Sequence, residues 1–172
     1  MATFSERALD ALYGLLSDGS TGLNAETLPA MRTALGVGTG ALPDIAIMEK
    51  WYHRSAQSTK FPYMSIVIES TTGEQATNSR FYSVDFSLGL VVLDQNIDGN
   101  EVDVLTAAWR YGDAIKTLLQ RRSPGKQGWT LNNATGIIRA VVDSQTPGAD
   151  PTLSAPNVAL LTRVTVTTAE EY

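Results

Sequence analysis

The most suggestive spacing in this chain is Asp94-x-Asn96-x-Asp98-Gly99, in which side-chain oxygens at alternate positions run into a glycine. An EF-hand calcium loop begins this way. Its twelfth position, where a bidentate Glu is needed, falls on Leu105, and the segment follows a strand rather than a helix. Asp, Asn and Gly are also what a tight strand-to-helix connection requires, so the turn is the expected reading. His53 is the only histidine, which removes any two-histidine metal site. A catalytic triad needs only one, yet no Gly-x-Ser-x-Gly elbow presents a nucleophile. His53 lies among Trp51, Tyr52 and Arg54, a setting that suits a surface or interface contact. Gly36-Val37-Gly38-Thr39-Gly40 lacks the Gly-Lys-Ser/Thr of a phosphate loop and the spacing of a dinucleotide fingerprint, and reads as a connector. With no cysteine, disulfides, thiolate catalysis and Cys-based zinc sites drop out together. The expectation is a chain with no catalytic, cofactor-binding or metal-ligating residues and no cofactor. Asp85, Asp94 and Asp98 remain as carboxylates for an enzyme reading.

The frame around these residues is one α+β domain. A chain of 172 residues with 43% hydrophobic content fits one unit with a real core. The formal net charge is −5 and the pI about 4.8. The one pair of adjacent basic residues is Arg121-Arg122, so the basic patch that holds nucleic-acid phosphates is lacking. An acidic wall is nevertheless compatible with DNA sliding past it. The start, Met-Ala-Thr-Phe-Ser-Glu-Arg, has no secretory pattern, and no window approaches the roughly 18 apolar residues of a membrane span. A soluble protein that stays where it is made is expected.

A first helix is expected from Ser5 to about Asp18-Gly19, capped by Thr3 or Ser5 with Glu6 completing a capping box, and with Ala8, Leu9, Leu12, Tyr13, Leu15 and Leu16 on one face. Residues 24–35 suggest a short helix capped by Asn24, with Pro29 inside it and glycines 36, 38 and 40 closing it. Residues 36–60 form a less regular arm, for which a partly buried loop or an edge strand is an equal alternative. Alternation marks a strand over Tyr63–Glu69. A polar connection over Thr71–Ser79 joins it to a second strand, on which Tyr82, Val84, Phe86, Leu88, Leu90 and Val92 face one way. A long helix is expected over Glu101–Arg122, with Leu105, Ala108, Trp109, Gly112, Ile115, Leu118 and Leu119 as its buried stripe. Gly112 there costs roughly 1 kcal/mol relative to Ala, which close approach to the sheet would explain. Strands near Gly136–Asp143 and Asn157–Thr167, a long loop over 144–151 and a frayed acidic tail at 169–172 complete the reading. The expected fold is thus a mostly antiparallel or mixed four-stranded sheet packed by an N-terminal helix and one long central helix.

This order of elements resembles the tail-terminator, or tail-completion, proteins of long-tailed bacteriophages and the minor neck proteins related to them. The resemblance covers roughly residues 1–20 and 60–167. It is carried by the helix, the hairpin, the Tyr82–Arg122 passage with Asp98-Gly-Asn-Glu-Val-Asp-Val-Leu-Thr-Ala-Ala-Trp-Arg, and Gly136-Ile-Ile-Arg-Ala-Val-Val-Asp. It implies a non-enzymatic virion protein, assembled in the host cytoplasm, that caps the tail tube as a hexameric ring. Its partners would be its own copies, the tail tube protein and a neck or head-completion protein. DNA would pass through the lumen without specific binding, and no membrane is involved. Trp51, Tyr52, Glu74, Arg80, Arg121 and Arg122 are the expected interface residues, from their exposure and chemistry. The alternatives are another head-tail connector component, or a small-ligand-binding or regulatory α+β module.

Overall fold

Six strands form one sheet in the order β1-β2-β3-β6-β5-β4, with three α-helices packed against it, in a computed structural model that describes residues 4–50, 57–76, 79–121, 130–131 and 135–171. The strands are β1 (Ile47–Lys50), β2 (Tyr63–Ala76), β3 (Ser79–Leu93), β4 (Thr130–Leu131), β5 (Thr135–Gly148) and β6 (Asn157–Glu171). All pairings are antiparallel except β1 with β2. The α+β class is as expected, and the four long strands are the expected four. Two short edge strands are added. β1 lies in the segment read as an arm: four residues, Ile-Met-Glu-Lys, are too few to display a period. No helix among the described residues is long and apolar enough to cross a membrane.

Helix α1 (Phe4–Ser17) buries Ala8, Leu9, Leu12 and Leu16, as its stripe dictates. The second helix differs from expectation. Residues Leu23–Thr27 form a wide π-helical turn, and α2 begins only at Leu28, running to Leu35. Pro29 therefore sits in the first turn of α2 and not in its interior. Asn24 is no cap: its side chain reaches across to the Ile45 backbone, donating to the carbonyl at 2.8 Å and accepting from the N–H at 2.9 Å. Gly36 ends α2 in the left-handed region, at φ 66°, where a side chain would be strained.

Helix α3 (Val104–Arg121) starts three residues later than expected. Asp103 precedes it as the cap, accepting from Thr106 N–H at 2.9 Å and from the Thr106 hydroxyl at 2.7 Å. Its buried face is Ala107, Ala108, Tyr111, Ala114, Ile115, Leu118 and Leu119, with Gly112 among them. Leu105 and Trp109, expected in the core, are 45% and 38% exposed. The helix approaches the sheet through its small residues, and this turns the two large ones past the edge of the contact.

The core lies between the helices and one face of the sheet, where Met64, Ile66, Val84, Phe86, Leu88, Leu90, Val92, Leu160, Val164 and Val166 pack with α1 and α3. Each such side chain contributes about 1.5–3 kcal/mol by leaving water. The long strands outrun their expected ends. β2 and β3 continue in register to Ala76 and Ser79, so most of the presumed connection over 71–79 is strand. β5 continues through Ser144–Gly148, which shortens the presumed 144–151 loop. Residues 169–171 of the tail read as frayed are the end of β6, with Glu170 opposite Arg80 and Glu171 opposite Ser79.

Candidate functional site

Two β-bulges decide what the second face of the sheet displays. The β2–β3 register shifts between Ile68 and Ser70, and the β5–β6 register shifts between Val142 and Ser144. A bulge inserts a residue and re-aims its neighbours. Ser70 consequently stands opposite Asp85, and Asp143, the residue skipped by the register, reaches the same side as Thr165. The result is a polar row across four adjacent strands. The Ser70 hydroxyl donates to Asp85, and Thr165 Oγ1 lies 2.7 Å from Asp85 Oδ1 and 2.6 Å from Asp143 Oδ2. One hydroxyl hydrogen serves two carboxylates here, so at most one of those contacts is a donated hydrogen bond at a time. The Ser70 hydroxyl first, and then Thr165, hold the Asp85 carboxyl below the usual carboxylate range. Ser83 and Thr167 continue the row at 3.3 Å, and Arg163 lies 3.7 Å from Glu69 on this face.

Nearer the β1 edge a polar cleft of about 240 Å³ is lined by Ile47, Glu49, Gln57, Ser58, Thr59 and Tyr63. The buried Tyr63 donates its phenol to Glu49 Oε2 at 2.7 Å. Tyr63 also walls a second cleft of about 160 Å³ on the face of the sheet away from α3, with Gly89, Val91, Ala159, Leu161 and Pro151 providing apolar surface; Asp150 lies at it too, its carboxylate accepting from Thr152 N–H at 2.9 Å and from the Thr152 hydroxyl. The 149–156 connection is held over this cleft by Asn157, whose Oδ1 accepts from Asp150 N–H at 2.8 Å. Both volumes fall below the roughly 300–1,000 Å³ of small-molecule sites.

The sequence-derived candidates are dispersed. Trp51, Tyr52 and Arg122 lie outside the described residues, as do His53, Arg54 and Trp129. Glu74 lies on β2 opposite Phe81, and Arg80 lies on β3 opposite Gln75 and Glu170, so these two are one register step apart on the same hairpin. Arg121 is the last residue of α3. Of the three carboxylates Asp85, Asp94 and Asp98, Asp85 is not brought together with Asp94. Asp85 precedes Asp94 by nine residues of extended strand, which separates them by roughly 30 Å at about 3.3 Å per residue.

In the Asp94–Asn96 turn and its sequel, Asp98 Oδ1 accepts from Asn100 N–H at 3.0 Å and Asp98 N–H donates to Gly40 O at 2.9 Å. The Asp98 carboxylate thus shapes the turn, and the glycine-rich connector packs on it. No group of three His, Cys, Asp or Glu side chains among the described residues is placed to hold a metal. Sequence reasoning passed over Ser70, Asp143 and Thr165, because a bulge has no signature in a period-two pattern. Glu49 and Tyr63 were missed because they meet only through the parallel pairing of β1 with β2.

No protein-family model matches the chain, and no curated protein matches it.

Proposed function

We propose that the chain is a structural virion protein of the tail-terminator kind. It assembles into a closed homo-oligomeric ring, a hexamer by the resemblance, on the end of a phage tail tube and presents the other side of that ring to a neck or head-completion protein. It acts through protein contacts and catalyses no reaction. The observation that carries the reading is the order of elements in one sheet: α1, the β2–β3 hairpin, the β3-to-α3 passage, then β5 and β6, with β6 inserted beside β3. That order is the one on which the resemblance rests. The polar row of Ser70, Asp85, Thr165 and Asp143 on the open sheet face, together with a net charge of −5, suits a wall past which DNA slides without sticking.

The test is mass and shape in solution across protein concentrations, by light scattering after size exclusion and by negative-stain microscopy, with and without purified tail tube. Closed rings, alone or on tube ends, are expected. A compact monomer that ignores the tube would sink the proposal, and open-ended fibres would point to a tube component instead.

A second reading, binding of a small cationic ligand, is favoured only by the Glu49–Tyr63 cleft. It expects a thermal shift with guanidinium or amine probes that Glu49→Gln abolishes.

A further inference from the structure

Each side of the sheet ends in a long strand that its short edge strand covers at one end only. β1 pairs with residues 63–66 of β2 and leaves 67–76 open, and β4 pairs with Thr135 and Gly136 of β5 and leaves the rest of that strand open. Among the described residues no backbone hydrogen bond from outside the sheet reaches either open stretch. Residues 69–73 are exposed on one side of the sheet and 146–148 on the other. Open edges of this kind present rows of N–H and C=O groups ready to pair with another chain.

We infer that the open edge of β5 pairs antiparallel with the open edge of β2 in the next copy of the same chain, with Gly148 opposite Val67 and Arg139 opposite Ala76. The inference rests on the reading of the chain as a ring-forming protein and specifies the contact that builds the ring. Direction comes first. β2, β3, β6 and β5 alternate, so β2 and β5 run oppositely within one copy, and a neighbour rotated about an axis along the strands sets its β2 antiparallel to β5. Length agrees as well. The stretches 67–76 and 139–148 each contain one residue that the register skips, Glu69 and Asp143, so they offer equal numbers of pairing positions. Faces also match: Thr71 meets Gln145 on the core side, while Thr72 meets Ser144 and Ser70 meets Thr146 on the open side. Pro147 lies next to the end of β5 and lacks an N–H, which costs the new ladder at most one bond.

The two short strands fix the register. At equal level Gly148 aligns through Ala159 and Val91 with Tyr63, where β1 of the neighbour stands in the way. Moving the neighbour by four residues, from Tyr63 to Val67, carries its β1 past the end of β5 and leaves β4 past the end of the neighbour's β2. Over four strands that stagger is about 13 Å along the strands for about 19 Å across them, a tilt of roughly 35°, at which sheets close into barrels. A twofold pairing of β2 with β2, or of β5 with β5, uses one edge and leaves the other open. The head-to-tail contact uses both, and such contacts generate a closed ring when the rotation closes.

The chain has no cysteine, so introduced thiols are unique. The double variant Thr72→Cys/Ser144→Cys of the full chain sets two thiols opposite each other across the contact, and the two single variants are its controls. Within one copy the two positions are kept apart by β3 and β6. Far-ultraviolet circular dichroism and thermal midpoints establish that each variant is folded. After mild oxidation, non-reducing denaturing gels are expected to show the double variant as a ladder of covalent oligomers and each single variant as a monomer. In wild type, hydrogen exchange read by mass spectrometry is expected to be slower over 67–76 and 139–148 in the ring than in the diluted monomer. Rings in which either stretch exchanges as fast as in the monomer overturn this contact while leaving the ring reading standing. Slow exchange without the covalent ladder overturns the register, and a single variant that cross-links to itself overturns the head-to-tail pairing in favour of a twofold one. A wild type that stays monomeric with and without tail tube overturns both the contact and the ring.

Discussion

Gly112 of α3 stands directly over Leu160 of β6: a Cβ on Gly112 would lie 2.9 Å from Leu160 Cδ2 and 2.7 Å from Gln145 Nε2. The glycine costs the helix about 1 kcal/mol in propensity, and the close approach that it permits explains its presence. Gly112→Ala recovers that propensity but overpacks a contact whose Leu160 partner is fully buried, at a cost of about 1–3 kcal/mol. A net loss of about 1 kcal/mol is expected in urea unfolding, and a larger loss for Gly112→Val. An alanine variant more stable than wild type would place the helix further from the sheet than described.

Next to this contact, Thr162 is fully buried and faces Leu88 and Gln145 in register. Among the described residues its Oγ1 has no hydrogen-bond partner, and neither does Gln145 Nε2. A buried hydroxyl without a partner costs about 1–3 kcal/mol. Thr162→Val keeps the shape and removes the orphan, so it should raise stability by about 1 kcal/mol, seen as a higher urea midpoint at unchanged slope. A loss of stability would indicate that the hydroxyl is bonded in solution.

At the start of α3, Asp103→Ala removes the acceptor for Thr106 N–H, at 2.9 Å, and should cost about 1 kcal/mol. Asp103→Asn keeps an acceptor and should cost only a few tenths. Equal losses from the two substitutions would mean that charge at the helix N-terminus, rather than the cap bond, is what Asp103 supplies.

The sequence reading of β2 and of β5 ends at a bulge, although β5 is read through an earlier one at Ile138. The alternation Met64, Ile66, Ile68 stops at Glu69, and the reading of β5, which runs through the skipped Ile138, stops at Asp143; Glu69 and Asp143 are also residues that the register skips. Beyond them the same strands continue with polar residues whose faces are swapped, so Thr71–Ala76 and Ser144–Gly148 read as loop. On α3, weight given to large side chains drew Leu105 and Trp109 into the expected core. Ala107, Ala108, Gly112 and Ala114 show instead which face can approach a sheet closely. The polar row on the open face was illegible because its members come from four strands that only the tertiary register brings together.

Asn24 joins the π-helical turn to the strand-entry loop through both of its amide atoms, at 2.8 and 2.9 Å from the backbone of Ile45, a residue only 4% exposed. Asn24→Ala strands a donor and an acceptor in a largely dry place, and a loss of about 2 kcal/mol is expected. Asn24→Asp keeps the acceptor for Ile45 N–H but sets a carboxylate against the Ile45 carbonyl, so it should not rescue. Full stability of Asn24→Asp in thermal unfolding at neutral pH would show that the donated bond contributes nothing.

The polar row predicts how stability responds to acid. Asp85 is held below its ordinary value by the Ser70 hydroxyl and by Thr165; Asp103 is lowered by the Thr106 hydroxyl, and Asp18 by the Ser20 hydroxyl and nearby N–H groups. A carboxyl lowered in the folded state contributes stability that is fully present above its unfolded pKa of about 3.9 and is lost as pH falls through the folded value. Unfolding free energy should therefore be level from neutral pH to about pH 5 in respect of these groups and should decline below about pH 4. Asp85→Asn cannot change charge, so its decline should be shallower than that of wild type while its stability at neutral pH is lower. Urea midpoints measured from pH 7 down to pH 3 decide the matter: parallel curves for the two proteins would mean that the Ser70 and Thr165 hydroxyls do not favour the Asp85 carboxylate in solution.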